Sequence, residues 1–496
     1  MIKWRSKSTF VDLLLHFCLG ARMHAFIGRQ REMQRLQALQ AKKTASFVLV
    51  KGRRRVGKSR LIQEFSQYFD VFYSFSGLPP DKKTRAKHQL EEFSRQMARE
   101  FKAAPAYYND WSDVFWAIGE RVQTGKILLL FDEISWMGSK DPTFLGKIKN
   151  LWDLQLKNNN ELVFVVCGSA SAWIEKNILS NTGFVGRISY TLTLEELSLM
   201  HCKEFWPKNI AAYEKLKVLA VTGGIPKYLE EVNPKLSAEE NIKTLCFSKG
   251  GLLVNEFEQM FSDIFLRKSK FYRYILEYLS NGDKEQVLIA RALETEHRGR
   301  ISDYLWELEE AGFIKRDYTW DIKTGNDNKS SRYRLSDNYV RFYLKYISKN
   351  QSKIKRNAFV FKSLMSLPEW AVIIGFSFEN LVLNNRKLIF DQLQLHPEDV
   401  VNENPFFQHK TSRARGCQID YMIQTKFSTL YICEIKFSKN EVGVSVIEEV
   451  QAKISSLAFP RGFSCRPVLI HVNGVTQDLV DSDYFSAVID FGKFLE

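Results

Sequence analysis

The stretch Ser46-Phe-Val-Leu-Val-Lys51-Gly52-Arg53-Arg54-Arg55-Val56-Gly57-Lys58-Ser59-Arg60-Leu-Ile-Gln-Glu-Phe65-Ser66 decides how this chain is read. Ser46 to Val50 is a short apolar run, the pattern of a parallel strand buried on both faces. Arg60 to Ser66 has the apolar spacing of a helix. Between them lies Gly-x-x-x-x-Gly-Lys-Ser, in the strand–loop–helix setting that gives this motif its meaning. Glycines let backbone N–H groups turn inward around phosphate oxygens, and the following helix adds its positive dipole end. The expected phosphate cradle is Gly52, Arg53, Arg54, Arg55, Val56, Gly57, Lys58, Ser59 and Arg60. Lys58 reaches the β- and γ-phosphates, and the Ser59 hydroxyl holds Mg²⁺.

Two further runs extend the same sheet. Ile127-Leu-Leu-Leu-Phe131 is five apolar residues followed by Asp132 and Glu133. Two carboxylates at the C-terminal end of a buried strand stand where ligands of open α/β sheets bind. Asp132 is the expected partner of hydrated Mg²⁺, and Glu133 the residue that orients or deprotonates a water. Leu162-Val-Phe-Val-Val166 ends in Cys167-Gly-Ser169, which places Ser169 as a candidate γ-phosphate sensor.

These pieces, with Phe26-Ile-Gly28-Arg29-Gln-Arg-Glu32 ahead of them, resemble the archaeal-type ATPase family, near the AAA+ and STAND groups of P-loop NTPases. The resemblance implies ATP as the bound nucleotide and its hydrolysis as the activity, with Lys58 and Glu133 catalytic. It places Gly28, Arg29 and Glu32 near the adenine. Gly186-Arg187 resembles the arginine that follows the sensor strand, so Arg187 is expected at the γ-phosphate. Val221-Thr-Gly223-Gly224-Ile-Pro226 resembles the family's lid motif, so Pro226 is expected to border the nucleotide.

The chain has 496 residues, enough for about three domains. Its 71 Lys and Arg against 57 Asp and Glu give a net charge of +14. That excess is compatible with a polyanionic partner and equally with a merely basic surface. Seven scattered cysteines without a Cys-x-x-Cys pair give no sign of a disulfide framework or zinc site, and fit a reducing cytoplasm. Residues 1–22 loosely imitate a signal peptide, but Asp12 and His16 interrupt the apolar run, which is too short to span a bilayer. They are read as an N-terminal tail, with the natural start near Met23, and the protein is expected in the cytoplasm.

Residues 271–279, 285–293 and 300–311 carry helical spacing, and 313–316 and 331–335 read as strands around the polar loop 324–330. This is the order of a winged helix. Its third helix begins with Arg298 and Arg300 but continues with Asp303, Glu307, Glu309 and Glu310, which argues against tight base reading. Downstream, Arg332, Arg334, Arg341, Lys345, Lys349, Lys353, Lys355, Arg356 and Lys362 interleave with Tyr333, Tyr339, Phe342, Tyr343 and Tyr346. Such a mixture can track a nucleic-acid backbone; it also fits an amphipathic helix with a solvated basic face.

Near the C-terminus, Gly416 to Ile423 and Thr429 to Phe437 read as neighbouring strands. Alternation puts Leu430, Ile432, Glu434 and Lys436 on one face. A Glu and a Lys on an apolar face are costly unless paired or bound to metal. Asp420 followed by Glu434-Ile435-Lys436 resembles the PD-(D/E)xK restriction-endonuclease-like fold. That resemblance implies Mg²⁺ or Mn²⁺ on Asp420, Glu434 and the Ile435 carbonyl, with Lys436 preparing the attacking water. Glu379 fits the acidic residue of that fold's first helix, and Gln451 is placed facing the site.

The expected fold class is α/β. A P-loop NTPase sheet (residues 23–200) carries a helical lid (201–265), followed by a winged helix (266–345) and a restriction-endonuclease-like α/β domain (346–496). The expected function is an ATPase fused to a metal-dependent nuclease-like domain acting on nucleic acid, DNA ahead of RNA. The alternative is a nucleotide-dependent switch that self-associates and carries an inert C-terminal domain.

Overall fold

The computed structural model describes residues 26–79, 84–169, 171–265, 269–293, 298–412 and 415–496. The N-terminal tail lies outside the described residues. Among the described residues no helix is long and apolar enough to cross a membrane.

Five strands form the first sheet: β1 (Ser46–Lys51), β2 (Val71–Ser76), β3 (Ile127–Asp132), β4 (Val163–Gly168) and β5 (Tyr190–Thr193). They run parallel in the order β2-β3-β4-β1-β5. β1 and β4 are buried along their whole length, as their unbroken apolar runs require. Helices Lys58–Phe65, Trp111–Arg121 and Phe144–Leu154 cover the faces. One face holds an aromatic core in which Phe131 packs edge-on to Phe75, Phe93 and Phe164. With the phosphate loop following β1, an inner strand between β4 and β5, this is a P-loop NTPase fold.

Helices Ala212–Thr222, Pro226–Leu229, Ala238–Ile242 and Leu252–Phe265 come next. The unit after them has helices Ser269–Leu279, Gln286–Ala292 and Ile301–Glu310. They pack against a small antiparallel sheet of β6 (Lys284–Glu285), β7 (Ile314–Trp320) and β8 (Asp327–Leu335), in the order β6-β8-β7. The hairpin is longer than the sequence suggested: pairing reaches Trp320 and Asp327, so most of the expected polar loop belongs to a strand. The reason is docking. Trp320 and Ile322 are buried among Phe406, Ile419 and Met422 of the next sheet, and that contact holds the hairpin extended.

The C-terminal sheet contains β9 (Val400–Gln408), β10 (Cys417–Thr425), β11 (Thr429–Lys436), β12 (Ser464–His471) and β13 (Ala487–Asp490), in the order β13-β12-β11-β10-β9. β9, β10 and β11 pair antiparallel, whereas β11, β12 and β13 are parallel. Helix Trp370–Asn384 precedes the sheet, and helix Ser445–Ser456 makes the crossover from β11 to β12.

The units are fused. One continuous apolar core runs from Leu36 to Leu495. Lys215, in helix Ala212–Thr222, donates to the Leu495 carbonyl, and Lys203 donates to that of Glu496. The interleaved aromatics of the basic stretch belong to this core. Tyr333, Tyr339, Phe342, Tyr343 and Tyr346 are buried, as are Arg334 and Arg341, so they form no stacking platform. Of that stretch, the later cations Lys349, Lys353, Lys355, Arg356 and Lys362 stand exposed.

Candidate functional site

The phosphate loop closes tightly between β1 and helix Lys58–Phe65. Gly52 (φ +151°) passes so close to β5 that a Cβ there would stand 2.3 Å from the Leu194 carbonyl oxygen. Gly57, at φ +94°, supplies the left-handed turn into the helix. The buried Lys58 ammonium sits inside the loop and donates to the carbonyls of Gly52 (2.9 Å) and Arg53 (3.1 Å) and to the Ser169 hydroxyl (2.9 Å). Burial holds its pKa below the ordinary lysine value, against the pull of Glu133 and Asp132.

The strand ends converge on this lysine. The Ser59 hydroxyl donates to Asp132 Oδ2 at 2.6 Å, pairing the two expected magnesium partners. One carboxylate plus one hydroxyl is a donor set that fits Mg²⁺, which keeps most of its waters and takes further oxygens from nucleotide phosphates. Glu133, in a left-handed conformation (φ 51°), accepts from the Ser169 hydroxyl at 2.9 Å. Burial raises the Glu133 carboxyl above the usual range, against the nearby Lys58. Lys58, Ser59, Asp132, Glu133 and Ser169 thus form one connected cluster at the C-terminal edge of the sheet.

Other expected residues stand elsewhere. Arg187 precedes β5, and the Ser189 N–H two residues on donates to the Phe47 carbonyl near the start of β1. That is the edge of the sheet opposite the phosphate loop, because β1 and β5 are parallel. Arg187 forms a two-pronged pair with Asp153 there (Nε and Nη2, both at 2.9 Å), so it does not reach the γ-phosphate position within its own chain. Arg29 is also committed. Its guanidinium donates to the carbonyls of Val56 (3.1 Å) and Glu195 (2.5 Å) and pairs with Glu32, bracing the loop from behind. Gly28 borders a cleft of about 300 Å³ shared with Phe26, Met33, Gln67 and Tyr68. Pro226 starts helix Pro226–Leu229. The preceding Gly224 N–H donates to Glu196, and Tyr228 lies beneath the Arg53 guanidinium, 5.7 Å from ring centroid to Cζ.

The arginines of the loop bind the rest of the protein. Arg53 is buried against buried Asp337, Nη2 to Oδ2 2.6 Å, as an ion pair without a well-aligned hydrogen bond. Burial works against its charge, but Asp337 together with Tyr228, Glu196 and Tyr339 outweighs it, and the Arg53 pKa is raised. Arg55 grips Glu256 of helix Leu252–Phe265 with Nε at 2.9 Å and Nη2 at 3.1 Å. Arg60 pairs with Glu64 on its own helix, and Arg54 is half-buried. Lys51, at the end of β1, pairs with Glu310 at the end of the third helix (2.9 Å). The acidic end of that helix therefore faces the ATPase sheet. None of these long-range partners was legible in sequence, because each comes from a distant segment. Behind the loop lies a cavity of about 750 Å³, bordered by Arg53, Glu196, Glu309, Arg316, Arg386 and Glu403.

A second cluster lies in the C-terminal sheet. Asp420 sits at a β-bulge of β10, one position beyond the Tyr421–Cys433 pair, and so opposite Glu434. The Ile435 N–H donates to Asp420 Oδ2 at 3.0 Å, and Lys436 Nζ lies 3.0 Å from Glu434 Oε1. The alternation expected in β11 holds, with Leu430 and Ile432 in one core and Tyr431, Cys433 and Ile435 in another. Glu379 and Asp420 both border a cavity of about 80 Å³, together with Arg332, Arg334 and Arg341. Burial, and then the Asp420 charge, push Glu379 up to about 8. Among the described residues no group of three or more His, Cys, Asp or Glu converges to hold a metal ion. Lys453 stands between the carboxylates instead, 3.1 Å from Asp420 Oδ1 and 2.5 Å from Glu434 Oε2. Gln451 is exposed on the same helix, two residues from Lys453 and so on another face. The signal for Lys453 was helical spacing: Val446, Val450 and Lys453 share the face turned to the sheet.

Residues 26–232 match the model of a family of ATPase domains found predominantly in archaea. An uncharacterized protein of Methanocaldococcus jannaschii is 25% identical over 362 residues, 72% of this chain and 76% of that protein. Among solved structures, a Walker-type ATPase of Pyrococcus abyssi is similar at 16% identity and TM-score 0.46, covering 65% of this chain and 97% of its own. The Aeropyrum pernix ORC2 protein, in ADPNP and ADP complexes, is similar at 13% identity and TM-score 0.40, covering 67% and 97%.

Proposed function

We propose that this P-loop ATPase uses its nucleotide state to govern a metal-dependent, nuclease-like site in the C-terminal sheet, with nucleic acid as substrate and DNA the first to test. The observation that carries the reading is the meeting of Asp420, Glu434 and Lys436 on adjacent strands of a sheet fused to the phosphate loop. In the ATPase half, Lys58 would bind the β- and γ-phosphates, Ser59 and Asp132 would hold Mg²⁺, and Glu133, steadied by Ser169, would orient the water. The cleft beside Gly28 offers a place for the base.

In the C-terminal half, Asp420, Glu434 and the Ile435 carbonyl would hold Mg²⁺ or Mn²⁺, with Glu379 across the small cavity. Such an ion would supply a more acidic bound water and charge for the phosphodiester. Lys436 would hold that water through its ammonium. The strand order and the helix before β9 support a restriction-endonuclease-like domain. Three helices and a hairpin support a winged helix between the halves. Its hairpin is docked through Trp320 on the Gln424 side chain (2.5 Å) and Asn404 on the Tyr318 carbonyl (3.1 Å), so its role is coupling rather than groove reading. The exposed cations Lys349, Lys353, Lys355, Arg356 and Lys362 suit a phosphate backbone.

The test is cleavage of labelled single- and double-stranded DNA and RNA with Mg²⁺ or Mn²⁺, comparing the wild type with Glu434→Ala. Cleavage lost in the variant supports the reading. A second reading, a nucleotide-dependent switch that self-associates, is favoured by Lys453 filling the carboxylate pair. Absence of cleavage from protein that hydrolyses ATP and self-associates with it would select that reading.

A further inference from the structure

Neither Asp420 nor Glu434 has an unclaimed carboxylate oxygen. Asp420 Oδ2 accepts from the Ile435 N–H (3.0 Å), and its Oδ1 accepts from Lys453 Nζ (3.1 Å). Glu434 Oε1 faces Lys436 Nζ (3.0 Å), and its Oε2 accepts from Lys453 Nζ (2.5 Å). Lys453 is the only residue among these that touches both carboxylates. Lys436 is shared with Glu449 (2.6 Å) on helix Ser445–Ser456. That helix is anchored by buried Val446 and Val450, so the Lys453 stem starts from a fixed point. The Glu434 side chain is almost wholly buried, whereas that of Lys453 is about a quarter exposed, which leaves its ammonium a route to solvent.

Two carboxylates this close and this buried repel each other unless a cation lies between them. A divalent ion coordinated by both would need Asp420 Oδ1 and Glu434 Oε2, the two oxygens that Lys453 bridges. We propose that Lys453 is a resident counter-ion of this site, which a divalent cation must displace, so that Lys453 sets the site's metal affinity. This deepens the nuclease reading and rests on it. Substrate acts in the same direction: a nucleic-acid phosphate arriving beside the site offers the displaced ammonium a new anion, so metal and substrate bind cooperatively. The exchange makes and breaks only ionic contacts and hydrogen bonds.

The experiment is Mn²⁺ binding to the full chain without nucleotide, followed by calorimetry and by the Mn²⁺ paramagnetic resonance signal. Wild type, Lys453→Met, Lys453→Gln and Lys453→Arg are compared, with Glu434→Ala as the background for ions held elsewhere. Circular dichroism checks that each variant is folded, and Lys453→Gln serves if Lys453→Met is not. The neutral variants are expected to bind Mn²⁺ about tenfold or more tightly than the wild type, because the competing charge is gone. Lys453→Arg, which keeps that charge, is expected to stay near the wild type. Equal Mn²⁺ affinity in the wild type and both neutral variants would overturn the proposal while leaving the metal site standing. No Mn²⁺ signal above the Glu434→Ala background in any protein would overturn the proposal together with the nuclease reading.

Discussion

Lys58 and Glu133 test the ATPase reading at the level of single side chains. The Lys58 ammonium is bonded to the carbonyls of its own loop and to Ser169. Lys58→Ala is expected to abolish steady-state ATP hydrolysis, measured as phosphate release. Glu133→Gln keeps the shape and the Ser169 contact but removes the base. It is expected to slow hydrolysis about a hundredfold or more while ATP binding, read by fluorescent-nucleotide titration, persists. Glu379 gives a pH signature. Its pKa is raised to about 8, so the folded, metal-free chain holds a proton there that the unfolded chain has released. Stability from this group is present at low pH and is lost as pH rises toward about 8. Denaturant unfolding in a chelator is expected to show that slope, and Glu379→Gln is expected to flatten it. The residues of the first cluster were legible because their motif fixes both residue type and local structure. Arg187 was not, because a Gly-Arg pair does not say at which end of a strand it lies. Lys453 was not, because it acts across the sheet from a helix that the triplet Glu434-Ile435-Lys436 does not mention.

Among the elements, β1 with its loop is the most tightly constrained. Gly52 approaches the Leu194 carbonyl so closely that any Cβ collides with backbone, which cannot yield as a side-chain tip can. Gly52→Ala is expected to lower stability by roughly 2 kcal/mol or more and to distort the phosphate loop, measurable as a fall in Tm and loss of nucleotide binding. The first sheet was readable because strands buried on both faces print unbroken apolar runs, as Val48 to Val50 and Leu128 to Phe131 do. The hairpin β7–β8 was read too short for a related reason. Trp320 and Ile322 are apolar because they dock on the C-terminal sheet, and a polar-looking loop with such neighbours carries no sign of its partner. The basic stretch misled in the opposite direction. Tyr339, Phe342, Tyr343 and Tyr346 pack inward, so the aromatic and basic residues belong to different surfaces.

Across the whole molecule, charge pairs join the phosphate loop to helix Leu252–Phe265 and to the segment after the β7–β8 hairpin. Arg53 and Asp337 are both buried, so removing either leaves the other charge unpaired in the interior. Asp337→Asn is expected to cost about 3–5 kcal/mol in denaturant unfolding, and the double variant Arg53→Met with Asp337→Leu less than either single change. Beyond Asp337 the contacts continue. Asn338 donates to the Ser377 carbonyl at 3.0 Å, on helix Trp370–Asn384, which carries Glu379, and Asn380 donates to Asn338 Oδ1 at 3.0 Å. A change at the loop therefore has a packed polar route to the helix that carries Glu379. Under the proposed function, nucleotide state governs the Asp420–Glu434 site. The most direct test is metal-dependent cleavage of DNA measured with and without ATP, in the wild type and in Lys58→Ala. ATP is expected to change the wild-type cleavage rate and to have no effect on the variant. Wild-type cleavage indifferent to ATP, or the same ATP response in Lys58→Ala, would contradict it.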